Sequence, residues 1–409
     1  MIPLVLVLLI GAGFGAWLYA RHRTGNIYHP HARFIPQSTA PLPSHGPDRF
    51  AWPFYGYNKN HTRFFPASSG LHPPFKRVWV HGGNSLLEFP PVMFGERIFQ
   101  LADDGVLSAI NKHTGSDFWS TKLGALAASS PAVVGQTVFA TVLSRSPGLQ
   151  AGRVLALNFH NGSVRWSRDL PSRSESSPLF DHGRLFFGTQ NGTVYALNAA
   201  NGAVIWTYHA PGAVKASPTL SGGVLYFGDY SGHVQAISER TGRQLWSSGS
   251  EGALIGSGTF YSTAAVIYGR VFLGNTDGRV YAYDAQSGKL DWARQTGAYV
   301  YASPAVTNAP GLGPTVYLGS YDGNFYALDA RSGSIDWEYH AGGKISGSAT
   351  IVGNIVYFAD LGTHTTYGLG ISTGRAVFKT DTGSFDPVIT DGKTIFQTGY
   401  TGLYALAPR

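Results

Sequence analysis

The chain has 409 residues, 30 Lys and Arg against 23 Asp and Glu, 14 His, a net charge of +7 and no cysteine. Zero cysteine excludes a disulfide framework, a thiol nucleophile, a Cys-based zinc site and a lipid attached through an N-terminal Cys. Aromatic residues make up 13%, a supply suited to flat layers between packed sheets, and 53 glycines point to many tight turns.

Ile2 to Ala20 is free of charge and ends Trp17-Leu18-Tyr19. As a helix at ~1.5 Å per residue it would span about 28 Å, the thickness of a bilayer core. Trp17 and Tyr19 would then sit at headgroup level. The run is long, has no basic segment before it and lacks a clear small-x-small site. The expectation is therefore a transmembrane anchor over residues 1–20 rather than a cleaved signal. Arg21, His22 and Arg23 follow it, and by the positive-inside rule they place what comes next in the cytoplasm.

Residues 21–70 form a Pro-rich basic tether and lead-in. Residues 1–70 hold six Lys/Arg and one Asp, a charge of +5, which leaves +2 for the remainder. Two uses of this charge are open: contact of the tether with anionic lipid, or a simple soluble linker. The remainder is near neutral, so no nucleic-acid partner is expected.

From residue 71 onward one phrase recurs. It closes on Trp79, Trp119, Trp166, Trp206, Trp246, Trp292, Trp337 and Phe378, at intervals of 40, 47, 40, 40, 46, 45 and 41 residues. Each copy holds an alternating strand such as Tyr326-Ala327-Leu328-Asp329, a turn ending on Gly333, and a return strand closing on Trp337. An upstream hairpin completes the period: Ser217-Pro218-Thr219-Leu220 passes through Gly222-Gly223 to Val224-Leu225-Tyr226-Phe227-Gly228. Four short antiparallel strands per roughly 40 residues are the signature of a β-propeller blade.

Seven full phrases precede Gly383, and an eighth stops at Arg409 before any Trp strand. The missing strand matches Lys76 to Gly83, which resembles Asp336 to Gly343. The fold expected is all-β: an eight-bladed propeller of four-stranded antiparallel blades over residues 71–409, its last blade closed by residues 75–83 and preceded by one transmembrane helix. Closure from both chain ends hides two sheet edges.

The phrase Ala-x-Asp/Asn-x-x-Thr/Ser/Asn-Gly-x-x-x-Trp, seen at Ala109 to Trp119, Ala156 to Trp166, Ala196 to Trp206, Ala236 to Trp246, Ala282 to Trp292 and Ala327 to Trp337, resembles the tryptophan-docking motif of the pyrroloquinoline-quinone-like propellers. Blade seven departs, with Gly368, Gly370 and Phe378. The segment Trp52-Pro53-Phe54-Tyr55-Gly56-Tyr57 to Phe64 is similar to the lead-in of such propellers. The eight aromatics read as blade-docking residues, each stacking on a neighbouring turn and donating an indole N–H. The resemblance implies a fold, and function must come from a site.

It implies two classes. One is a non-catalytic binding or scaffolding module at the cell envelope, similar to the propeller subunit of the outer-membrane β-barrel assembly machine. Such a module would be extracytoplasmic, against the flanking charges. Other envelope proteins would be its partners, with the membrane engaged through the helix and tether. A monomer is expected, and no catalytic or metal residue is assigned. The other class is a quinoprotein oxidoreductase holding pyrroloquinoline quinone and calcium in the central funnel. It would need Glu and Asn ligands and an Asp base, and the alcohol-oxidising type carries adjacent cysteines that this chain lacks.

A ligand-sensing funnel is the third reading. The residue three before the Ser-Pro proline should line the mouth, giving Glu88, Ala128, Glu175, Lys215, Ile255, Tyr301, Ser346 and Ser384. Of these, Glu88, Glu175, Lys215 and Tyr301 could frame a small polar ligand. His29-Pro30-His31 reads as tether filler, and Asp103-Asp104-Gly105, Asp277-Gly278 and Asp322-Gly323 as turns rather than calcium loops.

Overall fold

A computed structural model describes residues 26–36, 51–68, 70–250, 258–383 and 385–409. The expected anchor, residues 1–20, lies outside them, and no described helix is long and apolar enough to cross a membrane.

Eight antiparallel sheets make an eight-bladed propeller. Blades 1 to 7 cover residues 92–122, 132–169, 179–209, 219–249, 265–295, 305–340 and 350–380. Blade 8 joins Val388–Thr390, Ile395–Thr398 and Gly402–Pro408 to Phe75–Gly82 as its outermost strand. In that pairing Ala405 lies opposite Trp79, so the ring closes from both ends of the chain as the repeat count requires. Each blade begins with a short buried strand at the axis and ends on an outer strand whose exposure alternates.

The Trp phrase folds the same way each time. Its Ala pairs directly with the Trp, as in Ala196 with Trp206 and Ala327 with Trp337, and the register shifts immediately afterward. A methyl at that point leaves room for the indole to turn toward the next blade. There the seven indole N–H groups donate to Lys112, Phe159, Ala199, Glu239, Ala285, Ala330 and Ile371 carbonyls at 2.9–3.1 Å. Each ring also covers the turn glycine of that blade so closely that a Cβ there would come within 2.5–2.8 Å. The girdle expected from the sequence is present at seven of eight blade interfaces.

Phe378 is the exception, and the closure explains it. Its neighbour, blade 8, has no turn between its last two strands, because Gly402–Pro408 pairs with Phe75–Gly82 from the start of the repeats. No turn glycine is available to stack on. Phe378 instead meets Phe75 edge-on at 5.5 Å, with Tyr357 at 5.9 Å.

Two N-terminal pieces join the disc. Ile27–Tyr28 pairs with the outer strand of blade 5, Leu290–Gln295. Residues 51–65 enter the axis.

Candidate functional site

Residues 51–65 run around one end of the central channel and bond to one inner strand after another. Ala51–Trp52 pairs antiparallel with Val92–Phe94 of blade 1. Pro53 O accepts from Val133 N of blade 2 at 3.0 Å. Lys59 forms an ion pair with Asp181 of blade 3, and its carbonyl accepts from Leu220 N of blade 4 at 2.8 Å. Asn60 O, Thr62 O and Arg63 O accept from Val266, Val306 and Ile351 of blades 5, 6 and 7 at 2.8–2.9 Å. Phe64–Phe65 then pairs parallel with Thr350–Val352, and Phe65 packs with Val388 and Ile389 of blade 8.

The segment closes on itself to fit. Asn58 Oδ1 accepts from Thr62 N at 3.0 Å, Gly56 O from Arg63 N at 3.3 Å. Tyr57, His61 and Arg63 all take φ between 50° and 77°, a region L-residues occupy only when the surroundings compel it. Trp52, Phe54, Tyr55, His61 and Arg63 are buried. The piece is a plug that the chain supplies to its own channel.

A belt of hydrogen bonds runs above the plug. The backbone N–H of Ser130 donates to Ser177 Oγ, Ser177 to Ser217, Ser217 to Thr263, Thr263 to Ser303 and Ser303 to Ser348, at 2.9–3.1 Å. Asp386 ends it, its carboxylate accepting from Ser348 N. This is the physical reason for the recurrent Ser or Thr at the blade entries: the hydroxyl satisfies a donor of the preceding blade. Tyr55 rises from the plug to this belt, its hydroxyl 3.0 Å from Ser348 Oγ. Arg63 lies 4.0 Å over the Tyr55 ring, and among the described residues its Nε and Nη2 have no hydrogen-bond partner. Burial holds the Asp386 carboxyl above its usual range, with the Arg63 charge pulling the other way.

On the far side of Tyr55 lies the funnel. Glu88, Glu175, Lys215 and Tyr301, with Ser346, line one cavity together with Tyr55, Tyr261, Ser348 and Asp386. The four funnel-mouth candidates are therefore neighbours in space. Ala128 is buried at the entry of blade 2. Ile255 and Ser384 lie outside the described residues.

The charges there answer one another. Lys215 Nζ sits 3.0 Å from Glu175 Oε1 and 4.9 Å from the Tyr230 ring centre. Glu175 also accepts from Gln190 and, at 3.4 Å, from Tyr261. Burial pushes the Tyr261 hydroxyl well up. Glu88 is pushed up to about 7, first by burial and then by the Asp103, Glu175 and Asp386 charges. Tyr301 stands edge-on to Tyr261 at 5.8 Å and 4.9 Å from Tyr321.

The cavity measures about 50 Å³. Ordinary ligand pockets run to roughly 300–1,000 Å³. The space is small beside an ordinary ligand pocket, with Tyr55 and Lys215 among the residues that line it. Among the described residues no three His, Asp or Glu side chains converge to hold an ion. The Asp-Gly turns are Asx turns, with Asp104, Asp277 and Asp322 accepting from the backbone two residues on. His29 and His31 line an open cleft against the outer edge of blade 5.

The sequence reading missed Tyr55, Arg63 and Asp386. Asp386 carried a signal, since it stands where blades 2 to 7 have Ser or Thr. Nothing in the pattern of Tyr55 and Arg63 places them on the axis.

A family model described as outer membrane protein assembly factor BamB matches residues 75–181, 150–303 and 302–409. The chain belongs to this BamB family. BamB from Moraxella catarrhalis is 18% identical, covers 81% of this chain and 99% of its own, and has a TM-score of 0.65. A quinohemoprotein alcohol dehydrogenase from Comamonas testosteroni is 14% identical over 87% of this chain and 80% of its own, TM-score 0.71. A europium-containing methanol dehydrogenase is 13% identical over 88% and 98%, TM-score 0.73. At these identities the likeness is one of fold, and BamB-type and quinoprotein propellers share it alike. No curated protein sequence matches the chain.

Proposed function

We propose that this BamB-family propeller is a non-catalytic protein-binding or scaffolding module, anchored in the membrane by residues 1–20 and facing the extracytoplasmic side of the cell envelope. The observation that carries this reading is the self-filled axis. A quinone would need more space than the roughly 50 Å³ cavity beside Tyr55 offers, and Lys215 is already paired with Glu175. What remains for recognition is the outside of the disc. The outer strands expose Val78, Val80, Phe118, Val164, Val204, Ile205, Leu245, Ile335 and Val377 on every blade but the fifth. Such unpaired edges with apolar side chains suit partner proteins by strand addition or surface packing.

The alternative is a quinoprotein-type oxidoreductase with pyrroloquinoline quinone and calcium in the funnel, or a propeller sensing a small ligand there. Likeness to the dehydrogenase propellers supports it, and the roughly 50 Å³ cavity weighs against it. Photo-crosslinking from Ile205 in intact cells tests the scaffold reading. Discrete adducts with membrane-associated proteins, absent when the probe sits on the covered edge of blade 5, are the expected result. No adduct from any outer strand would overturn it. Protease added to intact and to lysed cells reads which side the propeller faces, with cleavage only after lysis of the outer compartment expected.

A further inference from the structure

The segment 26–36 fixes where the upstream chain leaves the disc. Ile27 lies opposite Ala293 and Tyr28 opposite Trp292, making a fifth strand on the edge of blade 5. Asn26 Oδ1 accepts from Gln295 N at 3.0 Å, and His29 N donates to Asp291 O at 2.8 Å. At the other end Phe34 stacks on Tyr268 at 5.3 Å, with the guanidinium groups of Arg270 and Arg331 5.1 and 5.0 Å from its centre. The strand direction gives the polarity. Gln295 ends the outer strand and leads directly into loop 296–304, whose Tyr301 lines the funnel. The chain before Asn26 therefore departs at the funnel-side rim of blade 5.

Only residues 21–25 separate Asn26 from the charge-free run that ends at Ala20. Extended chain covers at most about 3.5 Å per residue, so the run ends within about 20 Å of that rim. The blade strands of six residues are themselves about 20 Å long, so the opposite face lies a full disc thickness farther away.

A second observation is independent of the tether. Apart from the outer strands and segment 26–36, the exposed large apolar side chains among the described residues are Leu126, Tyr299 and Tyr400. All three lie on the funnel side, in loops 123–131 and 296–304 and in the turn 399–401. The hairpin turns of the opposite side contribute none. Tyr299, 54% exposed, shares its loop with Tyr301 beside the departure point. Lys344, 5.5 Å over the Tyr321 ring, adds a cation on that side. Tyrosines beside a lysine are the side chains that settle at lipid headgroups.

We propose that the funnel face is turned toward the membrane, with Tyr299 and its loop seated among the lipid headgroups and the outer strands left free for proteins. This rests on the anchor reading above. Because the chain has no cysteine, single labels are unambiguous. The full chain, reconstituted in vesicles of phosphatidylcholine and phosphatidylglycerol, carries a fluorophore at Tyr299→Cys or at Ala200→Cys, an exposed turn position on the opposite side of blade 3. Tyr400→Cys serves as a second funnel-side site. Lipids spin-labelled near the headgroup should cause loss of emission at Tyr299→Cys and none at Ala200→Cys. Equal loss, or loss at Ala200→Cys alone, overturns the orientation while the protein still floats with the vesicles. Failure to float overturns the anchor reading and this inference with it.

Discussion

Trp337 donates its indole N–H to Ile371 O at 2.9 Å, and its Cε3 lies 2.8 Å from where a Cβ of Gly374 would be. The contact joins blade 6 to blade 7 and is repeated around most of the ring. The indole buries a large apolar face and satisfies its own donor at the same time. Trp337→Ala should therefore cost about 3–5 kcal/mol, the range for large-to-small core changes. Denaturant unfolding reads it, and an unchanged midpoint would show that the ring does not hold the blades together.

Phe378 should not improve on becoming tryptophan. The turn that an indole would cover is absent from blade 8, and Phe75 and Tyr357 occupy the space. Phe378→Trp is expected to lose about 1–3 kcal/mol through overpacking. A gain in melting temperature would mean that a docking surface exists there after all.

Arg63 ties the plug to the belt. Its charge offsets the burial of Asp386, and its guanidinium lies over the Tyr55 ring. Arg63→Ala should cost about 3–5 kcal/mol at neutral pH, as for other buried charges stripped of their counterpart. The cost should shrink in acid, where Asp386 takes a proton and no longer needs the cation. Unfolding at pH 5 and pH 8 makes the comparison; equal losses would uncouple Arg63 from Asp386.

Glu88 makes stability fall as pH rises. Its folded value of about 7 lies above the ordinary 4.5, so the folded chain binds more protons between these values. The stabilising contribution is complete below pH 4.5 and is lost as pH passes through 7. His61, held down to about 3 by burial and Arg63, acts in the reverse sense between pH 6.5 and 3. The difference between the parent and Glu88→Gln isolates the first effect. Glu88→Gln should be the more stable of the two at pH 8, with the advantage gone at pH 4.5, and parallel melting curves at all pH values would contradict this.

The blade plan was legible because each element of the phrase repeats: Ala makes room for Trp, Gly receives its ring, and Ser at the entry caps the preceding blade. The two-ended closure followed from Trp79 standing alone at the start. The same register named Glu88, Glu175, Lys215 and Tyr301, which line one cavity. The plug was not legible. Residues 51–65 occur once, have no period, and are placed by carbonyls meeting inner strands from most of the ring. Tyr55 and Arg63 became site residues through that placement alone. The absent stacking partner of Phe378 likewise depends on blade 8 taking its outer strand from Phe75–Gly82.

Calorimetric titration of the full-length protein with pyrroloquinoline quinone and Ca²⁺ tests the self-filled axis most directly. No saturable binding is expected, with the parent and Lys215→Ala indistinguishable. Tight stoichiometric binding that is lost in Lys215→Ala would contradict the account and make the funnel a cofactor site.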